Sequence, residues 1–118
     1  MARVVALVPD LMFGSRVQSM LEAVGHEVTL TGAEDEARTE AEFAEVLVVD
    51  LTTDAIDGVM LVDSMRAGGE LRGVRTLAFY SHVDAQTRAR AQEAGFDQVV
   101  PRSRMAREGA DLVSRLLV

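Results

Sequence analysis

The sequence predicts an α/β fold: a five-stranded parallel sheet in the order 2-1-3-4-5, with helices on both faces, in a single domain over residues 1–118. Three observations predict it. Strand-length apolar runs alternate with segments of helical period, five times over, as β-α units do. The two most apolar runs, Arg3 to Val8 (RVVALV) and Val46 to Leu51 (VLVVDL), are continuous rather than alternating. Strands buried on both faces of a parallel sheet have that character. Finally, 118 residues, 48% of them apolar, suit one domain with a real core.

Arg3 to Val8 is the first strand, bounded by Pro9. Phe13-Gly14-Ser15 reads as a turn with Ser15 as N-cap of the first helix. Val17, Met20, Leu21 and Val24 then fall on one helical face, and Gly25 ends it. Glu27 to Thr31 alternates as a second strand. Glu34 to Glu45 is an acidic, exposed helix whose small apolar side is Ala37, Ala41, Phe43 and Ala44. Val46 to Leu51 is the third strand. Asp57 to Ala67 is a helix that packs Val59, Leu61, Val62 and Met65 and stops at Gly68-Gly69. Val74 to Tyr80 is the fourth strand. Asp84 caps a helix running to Ala94, which Gly95 stops. Asp97 to Pro101 is a short fifth strand. Ser103 to Leu117 is the last helix, with Met105, Leu112, Val113, Leu116 and Leu117 toward the core.

Composition narrows the function. With no cysteine there is no disulfide framework, thiolate metal site or thiol nucleophile. No apolar run is long enough to span a bilayer and no signal peptide is visible, so a cytoplasmic protein is expected. The net charge of −7 disfavours general nucleic-acid binding. That charge is uneven: residues 1–59 hold 12 acids and 3 arginines, residues 60–118 hold 7 acids and 9 arginines. All 12 basic residues are arginine, which excludes any mechanism that needs a lysine.

Open α/β sheets place their chemistry at the carboxyl ends of the strands. That rim would gather Asp10 after the first strand, Asp50 at the end of the third, Ser81 or Tyr80 from the fourth and Arg102 from the fifth. Two carboxylates, a hydroxyl and a cation suit phosphoryl chemistry with a hard cation such as Mg²⁺, which takes one or two carboxylates and keeps several waters. Each residue also has a plainer role. Asp50 could satisfy a loop amide, Asp10 could cap the first helix, and Arg102 could be a surface arginine. His82 is one histidine alone, and His26 sits in a turn expected to be exposed. Arg102, Arg104 and Arg107 read as a solvated helix face. Gly14 alone is no dinucleotide fingerprint, which leaves flavin or nucleotide binding as a minor third option.

The segment from Asp50 to Asp57-Gly58, LEAVGHEV (21–28) and AQEAGFD (91–97) together resemble the receiver domain of two-component response regulators, a flavodoxin-like fold. The resemblance covers nearly the whole chain. It implies that Asp50 is the phosphoacceptor, that Asp10 binds Mg²⁺ and that Thr52 offers the metal its backbone carbonyl. It also implies a stand-alone signalling domain without an output domain, not an enzyme beyond its own phosphoryl transfer and dephosphorylation. Its partners would be a histidine kinase or phosphotransfer protein in a phosphorelay, and a downstream protein at the face of the fourth helix, fifth strand and fifth helix, with homodimerisation open. The chain departs from the pattern. The paired acids after the first strand are Pro9-Asp10, the lysine position holds Arg102, Val99 stands at the switch aromatic, and Asp54 replaces a proline. Two readings follow: a phosphorylatable receiver, or a pseudo-receiver that acts by protein contact without phosphate.

Overall fold

The computed structural model describes residues 1–118. The chain alternates β1 (Arg3–Leu7), α1 (Leu11–Glu22), β2 (Glu27–Thr31), α2 (Glu34–Ala41), β3 (Val46–Asp50), α3 (Gly58–Ala67), β4 (Arg75–Tyr80), α4 (Ala85–Glu93), β5 (Gln98–Pro101) and α5 (Arg102–Leu116). All four strand pairings are parallel, in the order β2-β1-β3-β4-β5, as the sequence predicts. No helix is long and apolar enough to cross a membrane.

The sheet divides the core in two. Val46 and Val48 of β3 join Phe13, Val17 and Leu21 of α1 and Met105, Leu112 and Val113 of α5 on one face. Leu47 and Val49 join the residues of α2, α3 and α4 on the other. This alternation follows from the period of two along a strand, and β3 is buried at all five positions. Between β4 and β5 the layers are closed by a polar clasp. Asp97 Oδ2 accepts from the Thr76 amide (2.8 Å) and hydroxyl (3.3 Å), and Thr76 Oγ1 accepts from the Asp97 amide (3.1 Å). Across α2 and the α3–β4 turn, Arg38 grips both Glu70 oxygens at 2.6 Å. That pairing holds the Glu70 carboxyl below its ordinary range and raises the Arg38 guanidinium above its own.

Several local expectations are corrected. The cap of α1 is Asp10, not Ser15: its Oδ1 accepts from the Met12 and Phe13 amides, and the helix begins five residues early. Asp and Ser are comparable caps, and the choice falls to the one that lets Phe13 reach the core. Val24 lies beyond the end of α1 and is exposed. α2 ends at Ala41, so Phe43 leaves the helical face and is exposed, while Ala44 is buried. His26 is half-buried rather than exposed, because its Nδ1 accepts from the Ala2 amide at 3.2 Å. Leu116 and Leu117 are only half-buried.

Four glycines, Gly25, Gly69, Gly73 and Gly95, have positive φ, and no other residue does. All lie in the turns that lead from a helix into the next strand, where a Cβ would strain the left-handed backbone.

α4 buries only Ala91 and depends strongly on its cap. Asp84 accepts from the Thr87 hydroxyl (2.6 Å) and the Thr87 amide (3.1 Å). These bonds, the hydroxyl first, hold the Asp84 carboxyl below its ordinary range. A carboxyl depressed on folding stabilises fully above the ordinary aspartate value of about 3.9, and that stabilisation is lost as pH falls below it through the folded value. Asp84→Ala is expected to speed amide exchange in α4 at neutral pH. Asp84→Asn is expected to keep the cap and abolish the acid-dependent step. Equal exchange of α4 amides in wild type and Asp84→Ala would refute the cap's role.

Candidate functional site

Asp50 ends the central strand. Alternation places it on the face of Val46 and Val48, toward α1 and α5, and the residue is 2% exposed. A carboxylate so buried needs donors. Thr52 supplies two: its amide at 2.7 Å and its hydroxyl at 2.6 Å both donate to Asp50 Oδ1. No protein donor reaches Oδ2, and no intrachain donor reaches the Thr52 carbonyl. This grip adds to the carbonyl role expected of Thr52; a hydroxyl two residues beyond a strand-end aspartate is the sequence signal for it.

One strand away, Asp10 has two duties. Oδ1 caps α1, from Met12 at 2.9 Å and Phe13 at 3.2 Å. Oδ2 lies 3.5 Å from Arg102 Nη2, with both side chains about half-exposed. The Arg102 guanidinium is 4.2 Å from the centroid of the Phe13 ring. Phe13 in turn lies 5.1 Å from Phe79, tilted by 55°. A cation over a ring at a half-exposed site gains about 0.5–1 kcal/mol, and the carboxylate and ring together fix one orientation for Arg102. In the sequence Phe13 reads as a turn residue. Its spacing of four to Val17 and again to Leu21 is the pattern that could have placed it on the buried face.

Ser81 follows β4 and is half-exposed. It and Thr52 line two clefts that meet at the rim. Tyr80, the alternative hydroxyl, is 7% exposed and lines neither. The first cleft, ≈ 450 Å³, is acidic, with Glu34, Asp54, Asp57 and Asp84 facing Arg90. The second, ≈ 530 Å³, includes Arg102, Arg16 and His82. Arg104 and Arg107 both pair with Glu108, as a solvated helix face would. Val99 packs half-buried against the α2-α3-α4 side of the sheet.

No protein-family model and no curated protein sequence matches the chain. Solved structures do. The chemotaxis response regulator CheY4 of Vibrio cholerae is 17% identical and superposes with a TM-score of 0.84, covering 98% of each chain. The receiver domain of the TMAO respiratory system response regulator TorR is 21% identical, with a TM-score of 0.86 over 99% of this chain and 97% of that one. The receiver domain of a sensor histidine kinase from Pseudomonas aeruginosa, solved with magnesium coordinated in its active site cleft, is 19% identical, with a TM-score of 0.84 over 98% and 97%.

The fold is the receiver fold. Asp10, Asp50, Ser81 and Arg102 stand on the rim of that fold where β1, β3, β4 and β5 deliver their carboxyl ends. Magnesium in a receiver fold needs oxygen donors, and this chain has a sparse set. No group of three or more acidic or imidazole side chains is close enough to hold a metal. Asp50 Oδ2, Asp10 Oδ2 and the Thr52 carbonyl remain, which fits a cation that takes one or two carboxylates and keeps its waters. Arg102 already faces Asp10 Oδ2, so a divalent cation has to share or displace that contact.

Proposed function

We propose that this chain is a receiver-type signalling domain that accepts a phosphoryl group on Asp50 from a histidine kinase or phosphotransfer protein and passes the signal on by protein contact. The observation that carries the reading is the state of the Asp50 carboxylate. Thr52 holds one oxygen with two bonds, and the other oxygen has no protein partner. In that arrangement Oδ2 attacks the phosphorus of a phosphohistidine, the P–N bond breaks, and the imidazole leaves with the electron pair. Arg102 and the Ser81 hydroxyl are the groups on the rim suited to offset charge on the transferring oxygens. Mg²⁺ held by Asp50, Asp10 and the Thr52 carbonyl would neutralise further charge there. The acyl phosphate adds charge beside Ser81, which biases the β4–α4 loop and, through it, the α4-β5-α5 face where a downstream partner docks. A cytoplasmic location and a role as a module rather than an enzyme belong to the same reading.

A second reading, the pseudo-receiver that signals without phosphate, is favoured by one feature. Pro9 stands where an acid is usual, and the remaining carboxylate, Asp10, is already engaged by Arg102. The two readings part in one experiment. With Mg²⁺ and acetyl phosphate, the wild-type protein is expected to gain the mass of one phosphoryl group, and Asp50→Asn is expected to gain none. No adduct on wild type, together with unchanged amide spectra around Asp50 in beryllofluoride and Mg²⁺, would leave the pseudo-receiver standing.

A further inference from the structure

The two edges of the sheet are not equal. β5 has four residues and ends on Pro101, which has no amide to offer a further strand. β2 has five, EVTLT, with no proline, lysine or arginine, and its one charge, Glu27, stands at the first position. Edges that stay single are usually blunted by such residues, and β2 is not.

The parallel ladder decides which backbone groups β2 leaves free. The Glu27 amide donates to the Ala2 carbonyl, and the Thr31 carbonyl accepts from the Val8 amide. In this register Glu27, Thr29 and Thr31 turn their backbone groups toward β1, while Val28 and Leu30 turn theirs outward. One side chain reaches that outward row: Gln18 Nε2 donates to the Val28 carbonyl at 3.4 Å, longer than the ordinary range. Leu11 precedes Gln18 by one heptad, so it lies within about 20° of it on the same side of α1, and it is exposed. An open backbone row with an apolar flank is a template for another strand.

The row fits itself. Turned antiparallel about Thr29, Val28 faces Leu30 of a second copy and Leu30 faces its Val28, and each pair exchanges both backbone bonds. These side chains fall on the α1 side, where Val28 and Leu30 already pack against the core. Thr29 faces Thr29, a favourable pair, and Glu27 faces Thr31, so no like charges stand directly opposite.

We propose that two copies of this chain join through antiparallel β2 strands, centred on Thr29, into one continuous sheet. A five-residue strand flanked by one helix face makes a small interface, under about 1,200 Å², so the dimer is weak and concentration-dependent. The net charge of −7 on each copy opposes it at low salt. The two-fold closes on itself. It sends the two Asp50 rims to opposite ends and leaves β5 at the outer edges, so the pairing does not depend on phosphoryl acceptance.

The test is sedimentation of the full chain over a concentration series at physiological salt, together with amide exchange. Mean mass is expected to rise with concentration. Protection is expected to grow at the Val28 and Leu30 amides, while Thr29, already bonded to β1, stays constant. Thr29→Lys sets two like charges opposite each other and is expected to weaken the dimer roughly fivefold; Thr29→Glu is expected to do the same. An equimolar mixture of the two variants is expected to associate as mixed pairs, at least as tightly as wild type. Gln98→Lys, on β5, is expected to change nothing. Constant mass up to about 1 mM protein, the affinity of a marginal encounter, would overturn the proposal. So would a dimer that Thr29→Lys leaves intact or Gln98→Lys disrupts, a mixture that stays monomeric, or protection that grows at β5 instead. The exchange arm uses the wild-type protein alone, so it decides the proposal even where a substitution disturbs β2.

Discussion

Replacing Phe79 by alanine is expected to cost the domain about 3–5 kcal/mol. The side chain is fully buried in β4, paired in register with Asp50 on one side and Val100 on the other. Its loss leaves a cavity bounded by the sheet below and Phe13 above, 5.1 Å away between ring centroids. Neither boundary can collapse freely, since β4 is locked between two strands and α1 is anchored by its Asp10 cap. A domain of this length has roughly 6–18 kcal/mol in total, so the loss is a large share of it. Phe79→Leu, which keeps most of the volume, is expected to cost less than about 1.5 kcal/mol. Urea unfolding midpoints separate the two. A cost for Phe79→Ala below about 1 kcal/mol would show that the ring is not the keystone of this face. The effect also has a functional side. Phe13 loses its support and Arg102 rests on Phe13, so the alanine variant is expected to disturb Arg102 before the protein unfolds. Broadened Arg102 side-chain signals would report it.

Gly58→Ala is the second large expectation. Gly58 opens α3 directly after its Asp57 cap. A Cβ there would collide with Val49 Cγ1 and approach Leu51 Cδ2 to 2.8 Å. These residues flank Asp50, and Val49 is held within the sheet. Overpacking of this kind costs about 1–3 kcal/mol, against a helix-propensity gain for alanine of about 1 kcal/mol. A net loss of up to about 2 kcal/mol is expected, with amide shifts in residues 50–58 and a slower reaction at Asp50. Gly109→Ala makes the contrast. Its Cβ would meet only the flexible ends of Met20 and Met105, so the propensity gain is expected to survive. A neutral Gly58→Ala would show that α3 can lift away from β3 at little cost.

How far the sequence reveals this molecule depends on which interactions are local. The runs RVVALV and VLVVD specify strands by themselves, and the β-α alternation specifies a parallel sheet, while its order 2-1-3-4-5 rests on the resemblance to receiver domains. The starts of α3 and α4 are legible because Asp57 and Asp84 each stand one residue before an uninterrupted helix. The start of α1 is not, because Asp10 and Ser15 are both competent caps and only the burial of Phe13 against Phe79 decides between them. Asp10, Asp50, Ser81 and Arg102 are placed on one rim by strand order alone. What each touches there is another matter. The Arg102–Phe13–Phe79 stack and the Arg102–Asp10 pair join residues distant in sequence through side-chain packing, which no periodicity encodes. His26 is misjudged for the same reason, since its partner is the Ala2 amide, 24 positions away.

The four left-handed glycines have a consequence for how this scaffold can change. All of them lie on the edge opposite the site, in turns entering the strands, and no residue in the loops leaving the strands has positive φ. On the glycine edge, substitution is limited by the backbone itself. On the site edge, every loop is built from dihedral angles open to ordinary side chains, so its identity rests on which side chains are present. Libraries that randomise residues 52–56 or 81–83 are therefore expected to return mostly folded proteins, while the same diversity at Gly25 or Gly95 is expected to return few. The fold separates a conservative rim from a permissive one, and the permissive rim is where a new ligand or partner preference can be written.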